Sequence, residues 1–83
     1  MYKILDLVSR EDKLLLVDVG AYIGYISEYF LKKSKNSRAI CIEPFENSFN
    51  QLTSNLEKFN TPNKRVFFIN KAINDKKTKK RFY

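Results

Sequence analysis

Asp18-Val19-Gly20-Ala21-Tyr22-Ile23-Gly24 is the segment of this chain whose residue types and spacing best suit holding a ligand. Glycine tolerates positive φ and lets a ligand come close to the backbone, and the free N–H groups at the start of a following helix would face whatever sits there. Two glycines four apart are a weak signal alone, since many strand-to-helix turns need one for geometry. Glu43 adds a second element, 19 residues after Gly24 and 23 after Gly20. An acid about 20 residues beyond a glycine turn accepts hydrogen bonds from ribose hydroxyls in nucleotide-binding α/β folds. Tyr22 stands where a dinucleotide fingerprint carries the glycine that admits the pyrophosphate, and no Gly-Lys-Ser or Gly-Lys-Thr follows. Both the NAD and the P-loop readings are therefore disfavoured. An adenosine ligand without a pyrophosphate fits better, and S-adenosylmethionine is the common cofactor of that kind.

Positioning such a turn requires a strand before it and a helix after it, and the apolar pattern supplies both. Leu14 to Val19 is a short apolar run interrupted only by Asp18, bounded by Asp12-Lys13 and Gly20, as a strand buried on both faces should be. Ile23, Ile26 and Phe30 then recur at helical spacing, with Lys32, Lys33 and Lys35 at the end where the helix dipole favours cations. Ala39 to Ile42 reads as a second buried strand, ended by Glu43-Pro44. Phe45, Phe49, Leu52, Leu56 and Phe59 share one face of a second helix, stopped by Asn60-Thr61-Pro62-Asn63. Val66 to Ile69 is a third strand, and Thr78 to Tyr83 alternates weakly, as a returning hairpin strand would. Strands joined by helical crossovers imply an α/β, Rossmann-like parallel sheet with strand order 3-2-1, one half of a doubly wound fold. Residues 1–13 are expected to form an N-terminal helix or arm, and 14–83 the cofactor-binding unit.

Val17 to Ser27 resembles the glycine motif of FkbM-type S-adenosylmethionine-dependent methyltransferases. Ile42-Glu43-Pro44 resembles that family's second-strand ending, and Phe45 to Phe49 with Leu52, Asn55 and Leu56 its next helix. Asn70 to Asp75, closing with Arg81-Phe82-Tyr83, is similar to its third-strand exit and hairpin. The resemblance implies the first half of a class I methyltransferase fold. It also implies that Asp18, Gly20 and Gly24 hold the methionine end of the cofactor, helped by the helix start near Tyr25, and Glu43 its ribose. Ala21 and Tyr22 are also cofactor-binding by that resemblance, with the Tyr22 ring placed to stack on the ligand or fill its pocket. Asn70, Lys71 and Ala72 become candidates for the adenine. The expected reaction is methyl transfer to oxygen on a small-molecule or sugar acceptor. No catalytic residue is assigned, because the acceptor site and any base are expected beyond this half, so the chain reads as a truncated, donor-binding portion. Self-association through the free sheet edge is a further expectation.

Composition bounds the alternatives. Charged residues make up 30 % and apolar ones 43 %, ordinary for a globular domain, and no apolar run approaches a membrane span. One cysteine and no histidine argue against a metal site and against an internal disulfide, and point to a reduced, cytoplasmic setting. Cys41, on a strand, reads as core. Of the net charge of +7, residues 71–83 carry +5, leaving the other seventy close to neutral. That distribution argues against nucleic acid as a partner. The alternative reading is a non-catalytic basic remnant that contacts RNA through Lys76 to Arg81.

Overall fold

The computed structural model describes residues 12–72. Within them the order is β1 (Leu15–Val19), α1 (Tyr25–Lys33), β2 (Arg38–Ile42), α2 (Glu46–Leu56), a 3-10 turn (Glu57–Asn60) and β3 (Val66–Ile69). The expected arm at 1–13, apart from its last two residues, and the hairpin strand at 78–83 lie outside the described residues. So does the basic stretch 76–81.

The three strands form one sheet in the order β1-β2-β3, with both pairings parallel. Leu16 stands opposite Ala39, and Ala39 opposite Val66; Asp18 stands opposite Cys41, and Cys41 opposite Phe68. Side chains of one parity therefore share a face. That face is the covered one: Ala39, Cys41 and Val66 are fully buried with Phe30 and Leu31 of α1 and Leu52 and Leu56 of α2. Leu16, Phe49, Phe59 and Phe68 pack against this cluster.

Both helices thus lie on the same side, as expected when successive crossovers run the same way along a sheet. The consequence corrects the expectation that β1 is buried on both faces. Leu15 is 58 % exposed and Val17 53 %, and across the sheet Phe67 and Ile69 are exposed as well. A continuous apolar run cannot reveal how many sides of a sheet the helices cover. Phe45 is a second correction. The helical pattern carries it onto the core face, but it caps α2 in an extended conformation and is 73 % exposed.

Two local devices fix the connections. Asn60 Oδ1 accepts the N–H groups of Arg65 and Val66, and its amide donates to Val66 O. This one side chain stands in for a strand neighbour at the start of β3. Ser34 and Ser37, both fully buried after α1, donate to Asp12 O, and Ser37 Oγ also accepts the Leu14 N–H. They set where the chain runs into β1.

Candidate functional site

The carboxyl ends of the three strands form the rim where open parallel sheets bind ligands. β1 passes there into a turn with three residues of positive φ: Gly20 at 72°, Tyr22 at 57° and Gly24 at 97°. Tyrosine is unusual in that region. It is held by a hydrogen bond from its N–H to Glu43 Oε1, 2.7 Å long. The other carboxylate oxygen accepts the Phe45 N–H at 3.1 Å. Glu43 is only 4 % exposed, so a charged side chain has been turned inward and satisfied by backbone amides. The backbone adds to the clamp, with the Gly20 and Ala21 N–H groups both reaching Ile42 O. The acid of β2 and the glycine turn of β1 are thereby one unit.

The two glycines serve different ends. A Cβ on Gly24 would lie 3.0 Å from Leu52 Cδ1 and 3.1 Å from Leu56, so this glycine lets α2 approach the turn. A Cβ on Gly20 would meet nothing within 4 Å, and the residue is exposed. Gly20 is the position where backbone lies open to an incoming molecule.

Asp18 ends β1 beside the turn, half-buried. Its Oδ2 accepts the Ser27 hydroxyl at 2.7 Å, and Ser27 Oγ in turn accepts the Cys41 thiol at 3.1 Å. Ser27 and Cys41 are both fully buried. Burial raises the Asp18 carboxyl above its ordinary value; the Ser27 bond opposes this, and the negative charge of Glu43 adds to it. Burial likewise pushes the Cys41 thiol up to about 11, outweighing the lowering by Ser27. At pH 8 the folded chain should therefore resist a thiol-specific disulfide reagent, and react fully once denatured. Immediate labelling of the folded chain would show that Cys41 is not where the sheet register puts it.

The remaining expected residues divide. Ala21 packs into the core, while Tyr22 and Tyr25 are exposed at the rim. Asn70 points its amide at Glu43 O and Pro44 O, 2.8 and 3.2 Å away, so its side chain fastens the exit of β3 to that of β2. Lys71 and Ala72 follow as exposed residues. The structure therefore gathers Asp18, Gly20 to Gly24, Tyr25, Glu43 and Asn70 around one rim. Sequence reasoning did not single out Ser27 as the partner of Asp18, although a small hydroxyl three residues past Gly24 faces back toward the strand end.

The family models give no match. Comparisons with curated proteins and with solved structures find none either. The site must be read from its own chemistry. Among the described residues no group of three or more acids and cysteines could hold a metal ion, and no helix is long and apolar enough to cross a membrane.

Proposed function

We propose that this chain is the donor-binding half of a class I S-adenosylmethionine-dependent methyltransferase of the FkbM type. Its complete form would methylate oxygen on a small molecule or sugar. The observation that carries this reading is the 2.7 Å bond from the Tyr22 N–H to Glu43, which joins the glycine turn to the acid of the neighbouring strand. The donor set suits the cofactor: an acid, an open glycine and an exposed aromatic at one rim, with no cation among the turn residues to repel a sulfonium.

When bound, the cofactor supplies an electrophilic methyl group on a positively charged sulfur. The chain's own part is to bind and orient. Asp18, fixed by Ser27, offers a carboxylate to the positive methionine end. Gly20 admits that end to the backbone. Glu43 keeps one further lone pair on each oxygen for ribose hydroxyls after accepting its two amides. Asn70 to Ala72 border the place left for the adenine.

The test is a proton–nitrogen correlation spectrum with and without millimolar S-adenosylhomocysteine. Shifts confined to Gly20–Ile26, Glu43 and Asn70–Ala72 are expected. A dispersed spectrum that the ligand leaves unmoved overturns the reading.

Asp18→Asn separates binding from folding. Because burial raises the folded carboxyl, the native state holds its proton more tightly than the unfolded chain does. The Asp18 contribution to stability accordingly falls as pH rises from the ordinary carboxylate value of 3.8 through the folded one. The asparagine keeps an oxygen for Ser27 and removes the buried charge, so stability at pH 7 should be equal or higher. Binding of S-adenosylhomocysteine should weaken about tenfold or more, from loss of a charged hydrogen bond worth ~1.5–3 kcal/mol. Chemical denaturation and ligand titration of the same sample read both. Loss of stability with unchanged binding would place Asp18 among the purely structural residues.

A further inference from the structure

The opposite end of the sheet has a different character. The residues leading into the three parallel strands, the last turn of α1 and the 3-10 turn after α2 bring Lys13, Lys35, Arg38, Lys64 and Arg65 together with Lys32 and Lys58. They line three adjoining hollows of about 360, 410 and 450 Å³. The first shares Asn36 and Arg38 with the second, and the second shares Lys35, Asn63 and Arg65 with the third. They form one track across the ends of the strands, and among the described residues no aspartate or glutamate lines it. The body of the chain is close to neutral by count, but its charge is unevenly spread: Asp18, Glu43 and Glu46 lie toward the rim, while the far end carries more cations than its acids Asp12, Glu28 and Glu57 balance.

Internal duties account for only some of these cations. Lys32 and Lys58 both pair with Glu28, and the Arg65 guanidinium is committed to backbone carbonyls. Lys64 lies 5.0 Å from the centre of the Phe67 ring, an arrangement that leaves its charge unneutralised. Among the described residues no carboxylate lies within ion-pair distance of Lys13, Lys35, Arg38 or Lys64. Four uncompensated cations from three separate segments of chain converge on a concave surface. Helix-dipole compensation does not explain them, because Lys13, Arg38 and Lys64 are not on helix ends.

We infer that this end of the sheet docks the phosphodiester backbone of a single-stranded nucleic acid. The width supports it. Three strands span about 10 Å, the reach of two or three successive phosphates. The third hollow adds an apolar floor of Phe59 and Pro62 beside its cations. An unpaired base can rest there, as bases do in sequence-tolerant single-strand grooves. A duplex keeps its bases stacked inside, and a run of acidic side chains alone brings no flat ring to that floor.

The experiment uses the full 83-residue chain and two labelled 12-nucleotide probes, oligouridine and oligodeoxythymidine, followed by fluorescence anisotropy between 50 and 200 mM salt. Binding should weaken linearly with log salt, at about 0.7 per phosphate engaged. Replacing Lys35, Arg38 and Lys64 together by glutamine should weaken binding about tenfold at low salt and flatten the slope by about 2. These side chains are exposed, and retained amide dispersion checks the fold of the variant. On the unmodified chain, the probe should shift amides at 35–38 and 63–65, which tests the same surface without any substitution. Equal affinity for both probes assigns recognition to phosphates alone, and tighter RNA binding adds the 2′-hydroxyls; both support the proposal. Three results overturn it: no binding at 50 mM salt, binding kept by the triple variant but lost when the five cations of 76–81 become glutamine, or displacement by polyglutamate at equal charge. None of these readouts involves the glycine turn, so the methyl-donor reading stands or falls separately.

Discussion

Gly24→Ala should lower the stability of the fold by about 2–4 kcal/mol, and Gly20→Ala by about 1 kcal/mol. Both glycines have positive φ, which an L-residue adopts only at a cost of ~1–2 kcal/mol. Only Gly24 adds a collision. Its new Cβ would sit 3.0–3.1 Å from Leu52 and Leu56, two fully buried side chains that would have to give way. Forcing them apart adds about 1–3 kcal/mol. For a domain of this size the total stability is of order 5 kcal/mol, so Gly24→Ala removes most of it. Urea unfolding followed by circular dichroism measures both variants. Equal midpoints would mean that α2 does not press on the turn. Gly20→Ala, which adds no collision, is then the variant to use in testing the proposed ligand binding, since its Cβ projects into open space at the rim.

Arg65→Met is the second large effect, expected to cost about 2–4 kcal/mol. Arg65 reaches back from the start of β3 to the end of α1. Its Nε donates to Ser37 O at 2.9 Å, and one terminal nitrogen donates to Leu31 O at 3.0 Å and Ser34 O at 2.6 Å. The guanidinium also lies 5.6 Å from the centre of the Phe59 ring. These carbonyls include Leu31 O in the last turn of α1, where the helix dipole is negative and intrahelical N–H partners run out. Methionine keeps the apolar stem and deletes every donor. Hydrogen bonds to a charged group are worth ~1.5–3 kcal/mol each, and partial rehydration of the loop carbonyls reduces the sum. Arg65→Lys should recover less than half of the loss, because one ammonium cannot span three acceptors held in a fork. A methionine variant within about 0.5 kcal/mol of the original would show that the fork carries no weight.

How far the molecule was legible in advance depends on the range of the interaction concerned. The alternation of strand and helix follows from local periodicity, and the buried Cys41 and the two glycines flanking Tyr22 could be read from a dozen residues of context. The exposed faces of Leu15, Val17 and Phe67 could not, because a strand's own residues do not record whether one or both sides of the sheet carry helices. Phe45 misled for a related reason. It continues the helical stripe, but α2 begins one residue after it, and its extended backbone leaves the ring facing out. Ser27, Arg65 and the basic end all join positions far apart in sequence, and a net-charge count averages away the segregation that folding creates. The acid at position 43 was read as a partner for a ligand. In the structure it first serves the chain itself, holding Tyr22 and Phe45 by their amides.

The chain of hydrogen bonds beneath the rim has a direction. The Cys41 thiol gives its hydrogen to Ser27, and Ser27 gives its own to Asp18. An ionised carboxylate can only accept, so while Asp18 is charged the order cannot reverse. Each bond polarises the next, and the pull on the thiol hydrogen depends on how much negative charge Asp18 retains. A proton on that carboxylate, or a positive ligand group beside it, relaxes the pull and stiffens the S–H bond. The S–H stretching vibration absorbs in a part of the infrared spectrum clear of other protein bands, and this sequence contains a single cysteine. The core therefore carries its own vibrational reporter of the charge at the rim, readable without a label.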